Sequence, residues 1–176
     1  GVAVVTAGPG MANTLSALYV ALMSESPMVA LSGHAPLGQL GTGAFQEMPQ
    51  SDMAAHVTKK SWTCQDASHL GEDLAKAFRI AKSGRPGPVH IALPFDVQEA
   101  SVDNPITPHE FVPDANSVTD KNSQTILDAV AGAISPMILA GSAMMRGSAR
   151  ESLSALADVT HTPVVFMESP RGINDP

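Results

Sequence analysis

Short apolar runs alternate along the chain with stretches in which apolar residues recur every three or four positions, and clusters of Gly and Pro separate the two. Val2 to Thr6 is a β-branched run and predicts a strand that leads into Ala7-Gly8-Pro9-Gly10. Leu15, Leu18, Tyr19 and Leu22 then fall at helical spacing. The apolar stretch from Met11 to Met23 predicts a buried helix, ended by Ser24-Glu25-Ser26-Pro27. Met28 to Leu31 predicts a second strand, nearly all apolar, as suits a parallel strand covered on both faces. From Ser32 to Gln50 the periodicity disappears, and four Gly and two Pro mark a long irregular loop. Loops of that length in compact domains often carry function.

Val57 to Trp62 predicts a third strand, with the basic pair Lys59-Lys60 at a solvated strand end. Ser68 is placed to cap a helix whose buried face is Leu70, Leu74, Ala77, Phe78 and Ala81, with Glu72 and Lys76 paired one turn apart. Ser83-Gly84-Arg85-Pro86-Gly87-Pro88 stops it, and Val89 to Leu93 predicts a fourth strand. Strands alternating with helices imply right-handed crossovers, so the expected fold class is α/β, a parallel sheet flanked by helices. Between Glu99 and Asn122 periodicity vanishes again, and Pro105, Pro108 and Pro113 mark a linker. The sequence thus divides into a first unit over 1–100, a linker over 101–122, and the start of a second α/β unit over 123–176. In that second unit a helix is expected over Ser123 to Ile134, a strand over Met137 to Leu139, a helix through Leu153, Leu156 and Ala157, and a strand over Val164 to Met167. Two strands do not bury their own faces, so the chain is expected to be a piece of a longer polypeptide.

Composition removes several classes of function. Of the 176 residues 44% are hydrophobic and 15% charged, which is ample material for a core. A net charge of −7, with ten scattered Lys and Arg, argues against nucleic acid as a partner. The single cysteine, Cys64, excludes an intrachain disulfide framework and a Cys-rich metal site. No apolar run reaches the ~18–20 residues that span a bilayer, so no membrane partner is expected and the expected location is cytoplasmic. The nine Met residues lie mostly in apolar runs and read as core filler.

Two stretches have the residue types for chemistry. In Thr6-Ala7-Gly8-Pro9-Gly10-x-x-Asn13, the two Gly lack Cβ, so the backbone can take unusual φ and lie against a flat ligand, while Pro9 stiffens the turn. The alternative is an ordinary strand-to-helix turn in which Gly permits close packing. The spacing is neither that of a dinucleotide fingerprint nor of a P-loop. In Gly41-Thr42-Gly43-Ala44-Phe45-Gln46-Glu47, Phe45 can wall a pocket and Gln46 can orient a substrate oxygen or a water, while Glu47 can instead cap a nearby helix. The six His are dispersed with no i,i+4 pair. His34, beside Gly33, is the one in a candidate site loop, with a hydrogen-bonded or surface role as the alternative.

In order, VVTAGPGMANTLSAL, VALSGHAP, GTGAFQE, VTKKSW and SGRPGPVHIALPFDVQ resemble the thiamine-diphosphate-dependent enzymes of the acetolactate synthase-like superfamily. Gly1 to about Ala100 is similar to most of that family's N-terminal pyrimidine-binding domain. PMILAGSAMMRGSARESLSALADVTHTPVV resembles the opening of its central, Rossmann-like domain. The resemblance implies a C–C bond-forming or -cleaving enzyme that decarboxylates or ligates 2-oxo acids with thiamine diphosphate and Mg²⁺, and in some members FAD. It also implies at least a homodimer, or a tetramer, with the cofactor between subunits. Gly8, Pro9, Gly10 and Asn13 match the family loop near the pyrimidine, and Phe45 and Gln46 match active-site positions. His34 sits where several members carry Gln or another polar residue.

An activating glutamate is expected upstream of the GPG strand, and the Mg²⁺ motif in a third domain, both outside these residues, so the fragment alone is expected to be inactive. Leu93-Pro94-Phe95-Asp96-Val97 departs from the Leu-Pro-Lys-Asp-Val of biosynthetic acetolactate synthases and puts a ring where a cation borders the substrate channel. That form is closer to glyoxylate carboligase, and the AFQE loop is shared with 2-hydroxyacyl-CoA lyase. These enzymes and oxalyl-CoA decarboxylase, which act on 2-oxo acid or acyl-CoA substrates, are alternatives. A non-catalytic nucleotide-binding α/β module is the rival of another class.

Overall fold

A computed structural model describes residues 1–103, 111, 118–145 and 147–167. The linker prolines Pro105, Pro108 and Pro113 and the end of the chain lie outside the described residues. The chain forms two compact units, Gly1–Asn116 and Ser117–Pro176.

In the first unit the apolar runs become strands β1 (Val2–Val5), β2 (Met28–His34), β3 (Lys60–Thr63) and β4 (Pro88–Pro94). They form a parallel sheet in the order β1-β2-β4-β3. Between them lie α1 (Pro9–Ala12), α2 (Leu15–Met23), α3 (Gln50–Ala55) and α4 (Leu70–Lys82), and α5 (Phe95–Glu99) follows β4. Side chains alternate across the strands, so one face of the sheet presents Val29, Val89 and Ile91 to Ala77 and Ala81 of α4. The other face presents Ala30 to Met11, Leu18 and Ala54 of α1, α2 and α3. Helices on both faces explain why β4 is buried along nearly its whole length and reads as an unbroken apolar run.

Several local expectations change. The helix read as buried splits into α1 and α2, and α2 buries only the Leu18 stripe, leaving Val20 65% exposed and Tyr19 and Met23 exposed as well. β2 runs three residues past Leu31, because its sheet hydrogen bonds to β4 continue through Gly33 and His34. α3 begins at the end of the stretch read as loop. Asp66, not Ser68, is the capping residue ahead of α4: its carboxylate accepts the Ser68 N–H and hydroxyl at 2.8 and 2.7 Å. Lys59 is not a solvated strand end. Its Nζ donates to the carbonyls of Ile80 and Ser83 at the C-terminus of α4, where unpaired carbonyls and the helix dipole favour a cation. Lys76 lies 5.6 Å over the Trp62 ring, and among the described residues no ion pair joins it to Glu72.

The second unit holds α6 (Asp120–Gly132), β5 (Ile138–Ala140), α7 (Ala149–Thr160) and β6 (Val164–Phe166), with β5 and β6 parallel. Thr119 caps α6 by accepting the Asn122 N–H at 3.2 Å, so that helix starts before Ser123. The start of a second α/β domain follows the parallel-sheet domain. Among the described residues no helix is long and apolar enough to cross a membrane.

Candidate functional site

The carboxyl ends of β1, β2 and β4 lie side by side, the place where open parallel sheets bind ligands. A cleft of about 340 Å³ opens there, lined by Thr6 and Ala7 after β1, Gly33 and His34 of β2, Phe45 and Gln46 of the long loop, and Phe95 and Gln98 of α5. Four sequence-predicted site residues, His34, Phe45, Gln46 and Phe95, are thus brought to one place from three segments. No Lys, Arg, Asp or Glu lines the cleft.

Gly8, Pro9 and Gly10 adjoin it without lining it. Gly8 has φ +58°, which an L side chain rarely adopts, and a Cβ there would stand 2.7 Å from the Gln46 carbonyl oxygen. Its missing side chain therefore serves the approach of the Gln46 loop, which answers in part the close-packing alternative. Gly10 likewise faces Thr6, whose Cγ2 would lie 2.3 Å from a Cβ. Pro9 is exposed at the first position of α1. Asn13 ends α1 with its N–H on the Pro9 carbonyl at 3.1 Å, exposed and not lining the cleft.

The Gln46 loop is itself built tightly. Gln46 takes φ +58°, a left-handed conformation costly for a residue with a side chain. Glu47 does not cap α3. Its carboxylate accepts the N–H groups of Gly41, Gly43 and Ala44, the last two at 3.0 and 2.9 Å. Those donors, Gly41 first, hold its pKa below the ordinary value and keep it ionised. Phe45, held at the tip, is 87% exposed. His34 lines this cleft and a neighbouring hollow walled by Leu40, Gly41, Glu47 and Pro49.

Sequence reading missed Gln50, Ser32 and His90. Gln50, buried at the start of α3, accepts the Gly8 N–H at 2.8 Å and donates to the Gly33 carbonyl at 2.6 Å and to Ser32 Oγ at 3.1 Å. Ser32 in turn bonds His90 Nε2, and His90 Nδ1 bonds Ser61, each at 2.8 Å. Burial, and to a lesser degree the charge of His34, lowers the His90 pKa to about 4. One signal was legible: Pro49-Gln50-Ser51-Asp52, with Asp52 in the first turn, has the composition of a helix start. Nothing in the linear sequence paired Gln50 with Gly8.

No metal cluster of three or more His, Cys, Asp or Glu forms among the described residues. A flat, uncharged heterocycle fits the donor set here, which is backbone, amide and ring rather than ion. The parallel sheet, the helices on its two faces and this crevice define the fold of a thiamine-diphosphate pyrimidine-binding domain. Residues 1–55 match the family model described as "Thiamine pyrophosphate enzyme, N-terminal TPP binding domain". The chain is 36% identical over 170 residues to a "Probable acetolactate synthase large subunit" of Methanococcus aeolicus, covering 93% of this chain and 28% of that one. It is 35% identical over 168 residues to the "Acetolactate synthase large subunit" of Corynebacterium glutamicum, covering 94% and 27%. Over 99 residues it is 42% identical to "Acetolactate synthase 1, chloroplastic" of Oryza sativa subsp. japonica, covering 56% and 15%. This N-terminal thiamine-diphosphate-binding domain is homologous to the acetolactate synthase-like superfamily, and the chain spans just over a quarter of the length of the first two relatives.

Proposed function

We propose that the chain is the pyrimidine-binding domain (1–100), linker (101–122) and opening of the central Rossmann-like domain (123–176) of a thiamine-diphosphate-dependent enzyme. That enzyme makes or breaks a C–C bond beside a carbonyl, with 2-oxo acids as the substrate class. The observation that carries this is the uncharged crevice at the strand ends, against which the Gly8–Gly10 turn and the Gln46 loop converge. The bound cofactor supplies an electron sink for the bond that changes.

The chain's own residues do the positioning. The main chain of Gly8, Pro9 and Gly10 flanks the pyrimidine, with Asn13 behind it at the end of α1. The Gln46 amide orients a substrate oxygen or a water, and Phe45 covers the opening and excludes solvent. His34 and Phe95 border the substrate channel. The activating glutamate and the Mg²⁺ and diphosphate ligands come from other parts of the full-length protein, in which FAD binding belongs to the central domain. The working assembly is at least a homodimer, acting on small molecules in the cytoplasm rather than on nucleic acid or membrane.

The absence of a cation from the cleft lining favours a second reading on the same scaffold. A glyoxylate carboligase-like, 2-hydroxyacyl-CoA lyase-like or oxalyl-CoA decarboxylase-like enzyme draws less on a cation at Phe95. The test is turnover by the full-length protein with thiamine diphosphate and Mg²⁺, offered pyruvate, glyoxylate, oxalyl-CoA or a 2-hydroxyacyl-CoA separately. Cofactor-dependent product from at least one, and none from residues 1–176 alone, is expected. Full-length protein that neither binds the cofactor nor converts any of the four would defeat the proposal in favour of a non-catalytic module.

A further inference from the structure

The Gln50 amide is 1% exposed and joins three segments. Its Oε1 accepts from the Gly8 N–H, and its Nε2 donates to the Gly33 carbonyl. A backbone N–H only donates and a carbonyl only accepts, so these two partners admit one orientation of the amide. The second Nε2 proton goes to Ser32 Oγ. Ser32 then has its single proton to give, and His90 Nε2 takes it at 2.8 Å. That makes Nε2 an acceptor and puts the His90 proton on Nδ1, which donates to Ser61 Oγ at 2.8 Å. The chain of bonds runs in one direction, from Gly8 through Gln50, Ser32 and His90 to Ser61.

Position gives this chain its consequence. His90 is 0% exposed on the central strand, in register with Ala30 of β2 and Ser61 of β3, so its end of the chain is anchored in the sheet. The other end holds the main-chain nitrogen of Gly8, whose Cα side faces the Gln46 carbonyl. Gly33, the third partner, precedes His34 in the cleft wall. A buried cluster of this kind costs desolvation that an apolar core would avoid, and its gain is a single arrangement of the three segments that shape the cleft.

We propose that Gln50 is a positioning residue that locks the Gly8–Gly10 turn, the end of β2 and the Gln46 loop into the geometry that receives the cofactor's pyrimidine. This rests on the reading of the cleft given under the proposed function. The replacement of choice is Gln50→Met, close in volume and without polar atoms. Amide exchange is followed in residues 1–176 at Gly8 and, as a control for global loosening, at Ile91. Gly8 exchange is expected to rise about tenfold or more over that at Ile91, as for loss of one buried hydrogen bond. In the full-length protein the thiamine diphosphate Kd is expected to rise on the order of tenfold, with substrate KM moved less. Ser32→Ala, which leaves Gln50 on Gly8 and Gly33, is expected to keep both near wild type.

Equal acceleration at Gly8 and Ile91, or an unchanged Kd, overturns the proposal. If Gln50→Met does not fold, nitrogen NMR of the wild-type imidazole decides: His90 protonated on Nδ1 supports the chain, and on Nε2 overturns it. Wild-type protein that binds no thiamine diphosphate sinks the reading of the cleft and with it the ligand half of this proposal. Binding that is insensitive to Gln50→Met sinks the lock alone.

Discussion

Gly8 is constrained twice over. Its φ of +58° is costly for any residue with a Cβ, and that Cβ would meet a backbone oxygen, which has no rotamer to change. Gly8→Ala is expected to cost about 2–4 kcal/mol, read as a fall in the denaturation midpoint of the 176-residue chain. Loss of less than about 0.5 kcal/mol, the range of neutral surface changes, would show that the Gln46 loop is free to retreat. His90 makes a prediction in pH. Its folded pKa of about 4 lies below the ordinary 6.5, so the unfolded chain binds the extra proton between those values. The stability it contributes is full above about pH 6.5 and lost as pH falls toward 4, by on the order of 3 kcal/mol. Urea titrations at pH 7 and pH 4.5 are expected to show a smaller loss for His90→Gln than for wild type. Equal losses would mean that His90 is not the group that titrates. At this scale the sequence displayed Gly8, Phe45 and Gln46, because Gly-rich turns and a loop aromatic are local signals. Gln50 was illegible, since its partners are 42 and 17 positions away in the chain and a lone Gln carries no period.

Elements were more legible than their ends. Strands β2 and β4 announced themselves as apolar runs, and α4 by the spacing of Leu70, Leu74, Ala77 and Ala81. The limits moved where tertiary bonds override local composition: β2 continues through Gly33 and His34 because β4 offers partners up to Pro94. α3 was hidden because six residues are too few to display a helical period. Lys59 misled for a related reason, since a basic pair looks solvated until the end of another helix arrives beside it. Lys59→Met keeps the aliphatic stem and removes the bonds to the Ile80 and Ser83 carbonyls. The expected cost is about 1–2 kcal/mol, seen in thermal melts, while Lys60→Met is expected to change stability by no more than about 0.5 kcal/mol. Equal effects from the two would place Lys59 back at a solvated strand end.

At the scale of the molecule, the alternation of strands and helices was enough to give a parallel α/β sheet, and the order of five motifs was enough to give the superfamily. What residues 1–176 supply to the larger protein is a rigid sheet edge with an uncharged crevice at its carboxyl ends, and they span just over a quarter of the matched relatives. Chemistry is therefore divided, with orientation and solvent exclusion from this part and charge handling from elsewhere. The most direct measurement is a crystal structure of the full-length protein with thiamine diphosphate and Mg²⁺. The account predicts the aminopyrimidine against the main chain of Gly8–Pro9–Gly10, on the side of the cleft that Gln46 lines. A pyrimidine bound away from that turn, with the crevice of His34, Phe45 and Phe95 left to solvent, would contradict it.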